Sequence, residues 1–277
     1  MSYKITDGWL IGDEDSPVQR APSPNHGGSI VPEFLIVHFT SGRSAETTVE
    51  RFQESESRVS AHLVIGRNGS VTQLVPFHVE AWHAGVSRWA DRVGLNSYSI
   101  GIELDNAGQL KRTARGWETW YHTVIPEEDV LPALHKNESV LSGWQTYTDV
   151  QLHTLFEIGA TLVRTYGLKE VLGHDDVAPD RKNDPGPAFP MDEFRSYVMG
   201  RASSDLPVYR TVDTLNLRSG PSAAASKLVP SGLPSGTRVV ELGSRSGSWW
   251  EVHVLDEIDG DRDLEGWVNS RYLSRAG

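Results

Sequence analysis

The chain of 277 residues contains no cysteine. Disulfides and thiolate metal sites are excluded, so any metal must sit on histidine and carboxylate ligands. A run of about 18 apolar residues is also lacking, and no transmembrane helix is indicated. Positive charge is in deficit: 26 Lys and Arg stand against 37 Asp and Glu, a net charge of −11. A nucleic-acid partner needs a basic footprint and is not expected. The opening stretch, MSYKITDGWLIGDEDSPVQR, is polar and acidic, unlike a Sec signal peptide. Apolar residues make up 38% of the chain, and nine tryptophans are many for this length. Such a chain can bury one large core or two smaller ones.

One stretch organises the rest: GHDDVAPDRKNDPGPAF, residues 173 to 189. It places His174 ten positions before Asp184, with Lys182 two residues ahead of that aspartate. Pro179 and Pro185 prevent a helix from running through, because proline lacks the N–H and clashes with the preceding turn. The segment is therefore a loop that returns on itself. Such a loop can bring an imidazole and a carboxylate to one metal ion. A catalytic zinc takes three protein ligands and an open position, so a third ligand and a base should lie elsewhere.

Upstream, residues 11 to 32 are rich in Pro, Ser, Gly and acidic side chains and are expected to be an irregular lead-in. FLIVHFT, residues 34 to 40, is a short apolar run that suits a buried strand. His38 lies near its end, where sites tend to be built; a satisfied core histidine is the plainer alternative. Residues 44 to 53 make a helix capped by Ser44, with Ala45, Val49 and Phe52 on one face. In AHLVIGRNGSVTQLV, residues 61 to 75, Arg67-Asn68-Gly69 marks a hairpin turn. His62 there, and Trp82 and His83 in AWHAG, are expected to pack or to line a substrate groove rather than bind metal. YSIGIEL, residues 98 to 104, has the pattern of a central strand. Its Glu103 either faces water at a sheet edge or enters a cleft, where desolvation would raise its pKa and suit it to be a base.

Residues 105 to 148 are expected to be an insertion with little regular structure. Its aromatic residues either wall a substrate groove or form a small satellite core. Thr148 to Tyr166 is a helix, with a capping box from Thr148 and Gln151, an apolar stripe, and Gly167 at its end. His153 falls on its polar side. Residues 191 to 199 form a closing amphipathic helix, and GRASSDLP, residues 200 to 207, is a small-residue linker. From residue 208 onward, short β-rich runs between Gly, Pro and Ser turns indicate a small all-β barrel. It carries no acid–base or ligand set and is expected to bind rather than catalyse.

VHFTSG, SAHLVIGRNGSVTQLVPF, AWHAG, NSYSIGIEL and GHDDVAPDRKNDPGPAF, in this order, resemble the zinc-dependent N-acetylmuramoyl-L-alanine amidases. That superfamily also includes phage lysozyme-type amidases and peptidoglycan recognition proteins. The likeness covers about residues 30 to 200 apart from the insertion. NLRSGPS, WWEV and GWVNSRYL resemble a bacterial SH3 domain, over about residues 208 to 275. The implied architecture is an α/β (α+β) domain with a central mixed sheet flanked by helices, residues 1 to 200. A linker (201 to 207) and an SH3-like, wall-binding domain (208 to 277) follow.

The resemblance implies Zn2+ on His38, His174 and Asp184, with Glu103 as the catalytic carboxylate and Lys182 as the cation that stabilises the transition state. Some members have cysteine as the third ligand; this chain has aspartate. Phage-type members carry a tyrosine before the hairpin histidine, where this chain has Ala61, so Glu103 must serve as base alone. The implied reaction cuts the amide between the lactyl group of N-acetylmuramic acid and L-alanine in peptidoglycan. The alternatives are a peptidoglycan-binding protein without catalysis, and a zinc peptidase that cuts the stem peptide. With all five positions filled, the binding-only alternative is disfavoured. A monomer is expected. With no Sec signal recognised, the chain is expected to be made in the cytoplasm. Lysis, specialised secretion and cytoplasmic recycling remain as settings for its action.

Overall fold

A computed structural model describes residues 3–199, 208–261 and 264–275. The chain divides into two compact units, Met1–Met199 and Gly200–Gly277. The linker expected at 201 to 207 lies outside the described residues.

The first unit is built on a six-stranded mixed sheet. Its order is Glu170–Gly173, Phe34–Phe39, Ser99–Leu104, Leu63–Ile65, Val71–Gln73 and Val18–Arg20. The first four strands run parallel; only the hairpin pair, Leu63–Ile65 with Val71–Gln73, is antiparallel. A parallel sheet needs both faces covered, so its central strands are near-continuous apolar runs. In Phe34–Phe39 the first five residues are all buried. Leu35 and Val37 join Ile100, Ile102 and Leu104 beneath the helix Asp149–Tyr166, which contributes Leu155, Ile158 and Leu162. Phe34 and Ile36 point the other way, to Leu95, Leu172 and Val177. By the same alternation His38 and Glu103, paired in register, occupy this second face.

Local chemistry explains the ends of the elements. Ser44 caps Ala45–Gln53 reciprocally with Thr47. Gly69, at φ +80°, allows the hairpin turn. Thr148 accepts from the Gln151 N–H, but the expected capping box is only half formed. The Gln151 side chain instead donates to the carbonyls of Ile65 and Asp105, at 3.0 and 3.1 Å. Two buried carbonyls beside the helix compete successfully for that amide.

Two expectations are corrected. The lead-in is not irregular: Val18–Arg20 forms the edge strand, and His26–Ser29 pairs with Val79–Ala81. The insertion is not irregular either. It is a five-stranded antiparallel sheet in the order Val124–Ile125, Gly116–Glu118, Gln109–Thr113, Leu141–Gln145, Val130–Leu134. Its small core holds Ala107, Leu110, Trp117 and Val130. Strands this short, interrupted by residues such as Pro132 and Gly143, show no sustained alternation.

The second unit is a five-stranded antiparallel sheet. Its order is Glu265–Asn269, Trp249–Val254, Arg238–Ser246, Val208–Thr211, Leu273–Arg275. Leu217, Leu233, Val239, Val252 and Val268 fill its core. Among the described residues no helix is long and apolar enough to cross a membrane.

Candidate metal centre

Three side chains meet at the ends of the parallel strands. His38 comes from the strand Phe34–Phe39, His174 from the turn after Glu170–Gly173, and Asp184 from the far end of the same loop. His38 Nδ1, His174 Nδ1 and Asp184 Oδ2 form a triangle with all three sides at 2.9 Å. All three residues are buried. Protons alone cannot satisfy this triangle: if both Nδ1 atoms donated to Asp184, their N–H groups would face each other. A shared cation removes the conflict, so the N,N,O donor set is able to hold a metal ion.

The other ring nitrogens show how the imidazoles are aimed. His174 Nε2 faces the Ala84 carbonyl at 3.2 Å, which can only accept. Arg181 Nη2, which can only donate, lies farther off at 3.4 Å, so the nearer carbonyl takes the proton from Nε2 and Nδ1 keeps its lone pair. His38 is aimed through a longer chain. Ser99 Oγ donates to the Leu95 carbonyl at 2.6 Å. Its oxygen is then left to accept from His83 Nε2–H at 3.3 Å. His83 Nδ1 in turn accepts from His38 Nε2–H at 3.0 Å. This outer chain leaves the His38 Nδ1 lone pair toward the centre. Burial, reinforced by the neighbouring His174, lowers the His38 pKa from 6.5 to about 4. The ring is thus a neutral ligand near neutral pH. Burial opposes ionisation of Asp184, yet the close approach of His174 and His38 holds its pKa below the carboxylate range.

Glu103 lies beside His38 in the adjacent parallel strand. Burial raises its pKa well above the ordinary value; the Asp184 charge adds to the rise and Lys182 opposes it. Its Oε2 is buried without a hydrogen-bond partner among the described residues. Lys182 lines the same open cleft of about 620 Å³, as do Glu103, Trp82 and Trp120. The structure therefore brings His38, Glu103, His174, Lys182 and Asp184 together.

The three residues expected to bind substrate separate. Trp82 lines the cleft. His83 also borders it, but both its nitrogens belong to the chain behind His38. His62 is fully buried, which fits the packing alternative rather than groove lining. Its Nδ1 accepts from the Gly101 N–H at 3.0 Å, and its Nε2 faces the Val79 carbonyl at 2.9 Å. No polar atom is left for a ligand. Sequence reasoning missed Ser99, and it missed Asn96, whose Oδ1 accepts from the backbone N–H groups of His83 and Ala84. Their closeness in sequence to Glu103 is the only signal that could have found them.

Fold and site define a class: a mixed α/β enzyme scaffold with a buried His-His-Asp donor set at the ends of parallel strands. Residues 28–187 match the N-acetylmuramoyl-L-alanine amidase family model, and the chain belongs to that family. Residues 213–274 match the bacterial SH3 domain model. Among curated relatives, the 1,6-anhydro-N-acetylmuramyl-L-alanine amidase AmpD of Escherichia coli K12 is 31% identical over 216 residues, covering 70% of this chain and 96% of that protein. AmpD of Citrobacter freundii is 34% identical, over 70% of this chain and 94% of its own. The N-acetylmuramoyl-L-alanine amidase AmiD of E. coli K12 is 28% identical, over 60% of this chain and 53% of its own. A solved structure of a selenomethionine AmpD derivative shares 28% identity at a TM-score of 0.49, over 70% of this chain and 99% of that one.

Proposed function

We propose that the chain hydrolyses the amide between the lactyl carbonyl of N-acetylmuramic acid and the L-alanine nitrogen of the peptidoglycan stem. Zinc is the proposed metal, held by His38, His174 and Asp184. The observation that carries this reading is the 2.9 Å triangle of donors with the buried, unpartnered Oε2 of Glu103 beside it. When bound, zinc supplies Lewis acidity, which polarises a carbonyl and makes hydroxide available near neutral pH.

The chain's own residues do the rest. Glu103 accepts the proton of the attacking water and returns it to the departing nitrogen. Water oxygen bonds to the lactyl carbon and the C–N bond breaks, leaving a lactyl carboxylate and a free L-alanine amine. Lys182 offsets the negative charge that develops on the carbonyl oxygen, and its charge counts for more where water is scarce. Trp82, at the cleft wall, offers a flat apolar face to the substrate. Residues 1 to 200 are assigned to catalysis and residues 208 to 277 to holding polymeric wall.

A digest of purified peptidoglycan, with and without a zinc chelator and read by mass spectrometry, tests this. The expected result is chelator-sensitive release of peptides with a free L-alanine N-terminus from intact glycan. Shorter peptides or cut glycan would assign a different bond. Binding without release by zinc-loaded protein would make this a recognition protein.

A further inference from the structure

Two of the three donors, His174 and Asp184, stand at opposite ends of one loop that opens with the single helical turn His174–Val177 and is broken by Pro179. Such a loop loses conformational entropy when it is fixed, so something must hold it. The Asp175 N–H donates to the Asp184 carbonyl at 2.8 Å and ties the ends to each other. Arg181 anchors the middle of the loop on the Ala84 and Val86 carbonyls, and Arg195 donates to Asp176; the inserted sheet holds the residues next to the two donors.

We propose that the turn His135–Glu138, between the strands Val130–Leu134 and Leu141–Gln145, is a positioning clamp for the metal loop. The proposal rests on the metal reading above. Four consecutive residues take part. His135 is buried, stacked on Trp144 with ring centroids 5.5 Å apart. Its Nδ1 accepts from the Asn137 N–H at 3.1 Å. Its Nε2 therefore holds the proton and donates to Asp175 Oδ2 at 3.0 Å. Lys136 Nζ lies 2.9 Å from Asp175 Oδ1 and 2.6 Å from Asp176 Oδ1. Asn137 Nδ2 donates to the Asp175 carbonyl at 3.2 Å. Glu138 holds the other end, accepting from Asn183 Nδ2 at 3.2 Å.

Asp175 follows the ligand His174, and Asn183 precedes the ligand Asp184. The turn thus grips the immediate neighbour of each donor. The inserted sheet also has an apolar core of its own, apart from these polar contacts. They are costly to break: the side chains of His135 and Asp175 are only 1% and 6% exposed, and a buried carboxylate left unpaired is penalised.

The test uses the full chain. Zinc affinity is measured by competition with a chromophoric chelator, and loop opening by hydrogen exchange of the Asp175 and Lys182 amides in zinc-free protein. His135→Ala is expected to weaken zinc binding about 10-fold or more and to speed exchange in the loop, with the central sheet unchanged. His135→Gln, which keeps an N–H donor, is expected to restore much of both. Lys136→Met, at a half-exposed position, gives a milder effect of the same sign and serves if His135→Ala does not fold. Unchanged zinc affinity and unchanged loop exchange in a folded variant would overturn the clamp. So would a uniform loss of protection across the whole unit with zinc affinity intact. Failure of the wild-type chain to bind zinc would instead sink the metal reading, and loop exchange would still decide the clamp.

Discussion

Glu103 and His38 are neighbours only because two parallel strands align them, residue for residue. The proposed function makes one a proton carrier and the other a ligand, so removing the carboxylate should separate their roles. Glu103→Gln keeps shape and polarity but cannot accept the proton. It is expected to lower kcat by roughly 10²–10⁴-fold while bound zinc, measured by metal analysis, stays at the wild-type level. Retained turnover would rule out Glu103 as base, and lost zinc would show that it supports the ligands instead. His62 makes a second prediction at this scale. Burial lowers its pKa from 6.5 to about 4. Between these values the unfolded chain binds a proton that the folded chain refuses. Its contribution is therefore intact above pH 6.5 and is lost as pH falls toward about 4, by at most about 3 kcal/mol. His62→Gln replaces the ring with an amide that does not titrate. Urea unfolding of this variant should show a shallower fall in stability between pH 6.5 and 4 than wild type. Equal slopes would place the titration elsewhere.

At the scale of elements, the strand Ser99–Leu104 does more than pair. A Cβ at Gly101 would lie 2.4 Å from the His83 ring, so the glycine makes room for His83 to lie on the sheet. Only there does His83 reach His38. Gly101→Ala should displace the ring, at about 1–3 kcal/mol of stability, and weaken zinc binding about 10-fold. The 15N shifts of the His83 ring, which report its tautomer, check the cause; unchanged shifts with weaker zinc would refute it. This arrangement also shows where sequence reading stops. The strand FLIVHF, the hairpin at Asn68-Gly69 and the helix Asp149–Tyr166 were legible because their signals are local: an apolar run, a turn pair, a helical period. The metal loop was legible because its donors share one Pro-bounded segment. The chain behind His38 was not. It needs a missing Cβ at Gly101, a hydroxyl at Ser99 and a carbonyl at Leu95 to meet one ring, and no spacing announces that. The inserted sheet was missed because strands of two to five residues alternate too briefly to be told from loop.

For the whole molecule, the informative fact is that each unit has an apolar core of its own among the described residues. The largest apolar cluster of the first unit draws only on residues before 200, and that of the second only on residues from Leu215 to Val268. Each unit therefore buries apolar surface without the other, and residues 1–199 alone are expected to fold. The described residues that line the cleft all belong to the first unit, so turnover of a small soluble muropeptide should not depend on the second. A polymer is different. Two linked modules that bind one strand turn the second binding event into an intramolecular one, and the gain over either module is commonly 10²–10⁴-fold. Residues 1–199 should thus match the full chain in kcat/KM on a soluble muropeptide, within about twofold, yet bind intact sacculi far more weakly in a pull-down. Equal sacculus binding by the two forms would show that the SH3-like unit serves some purpose other than holding the wall.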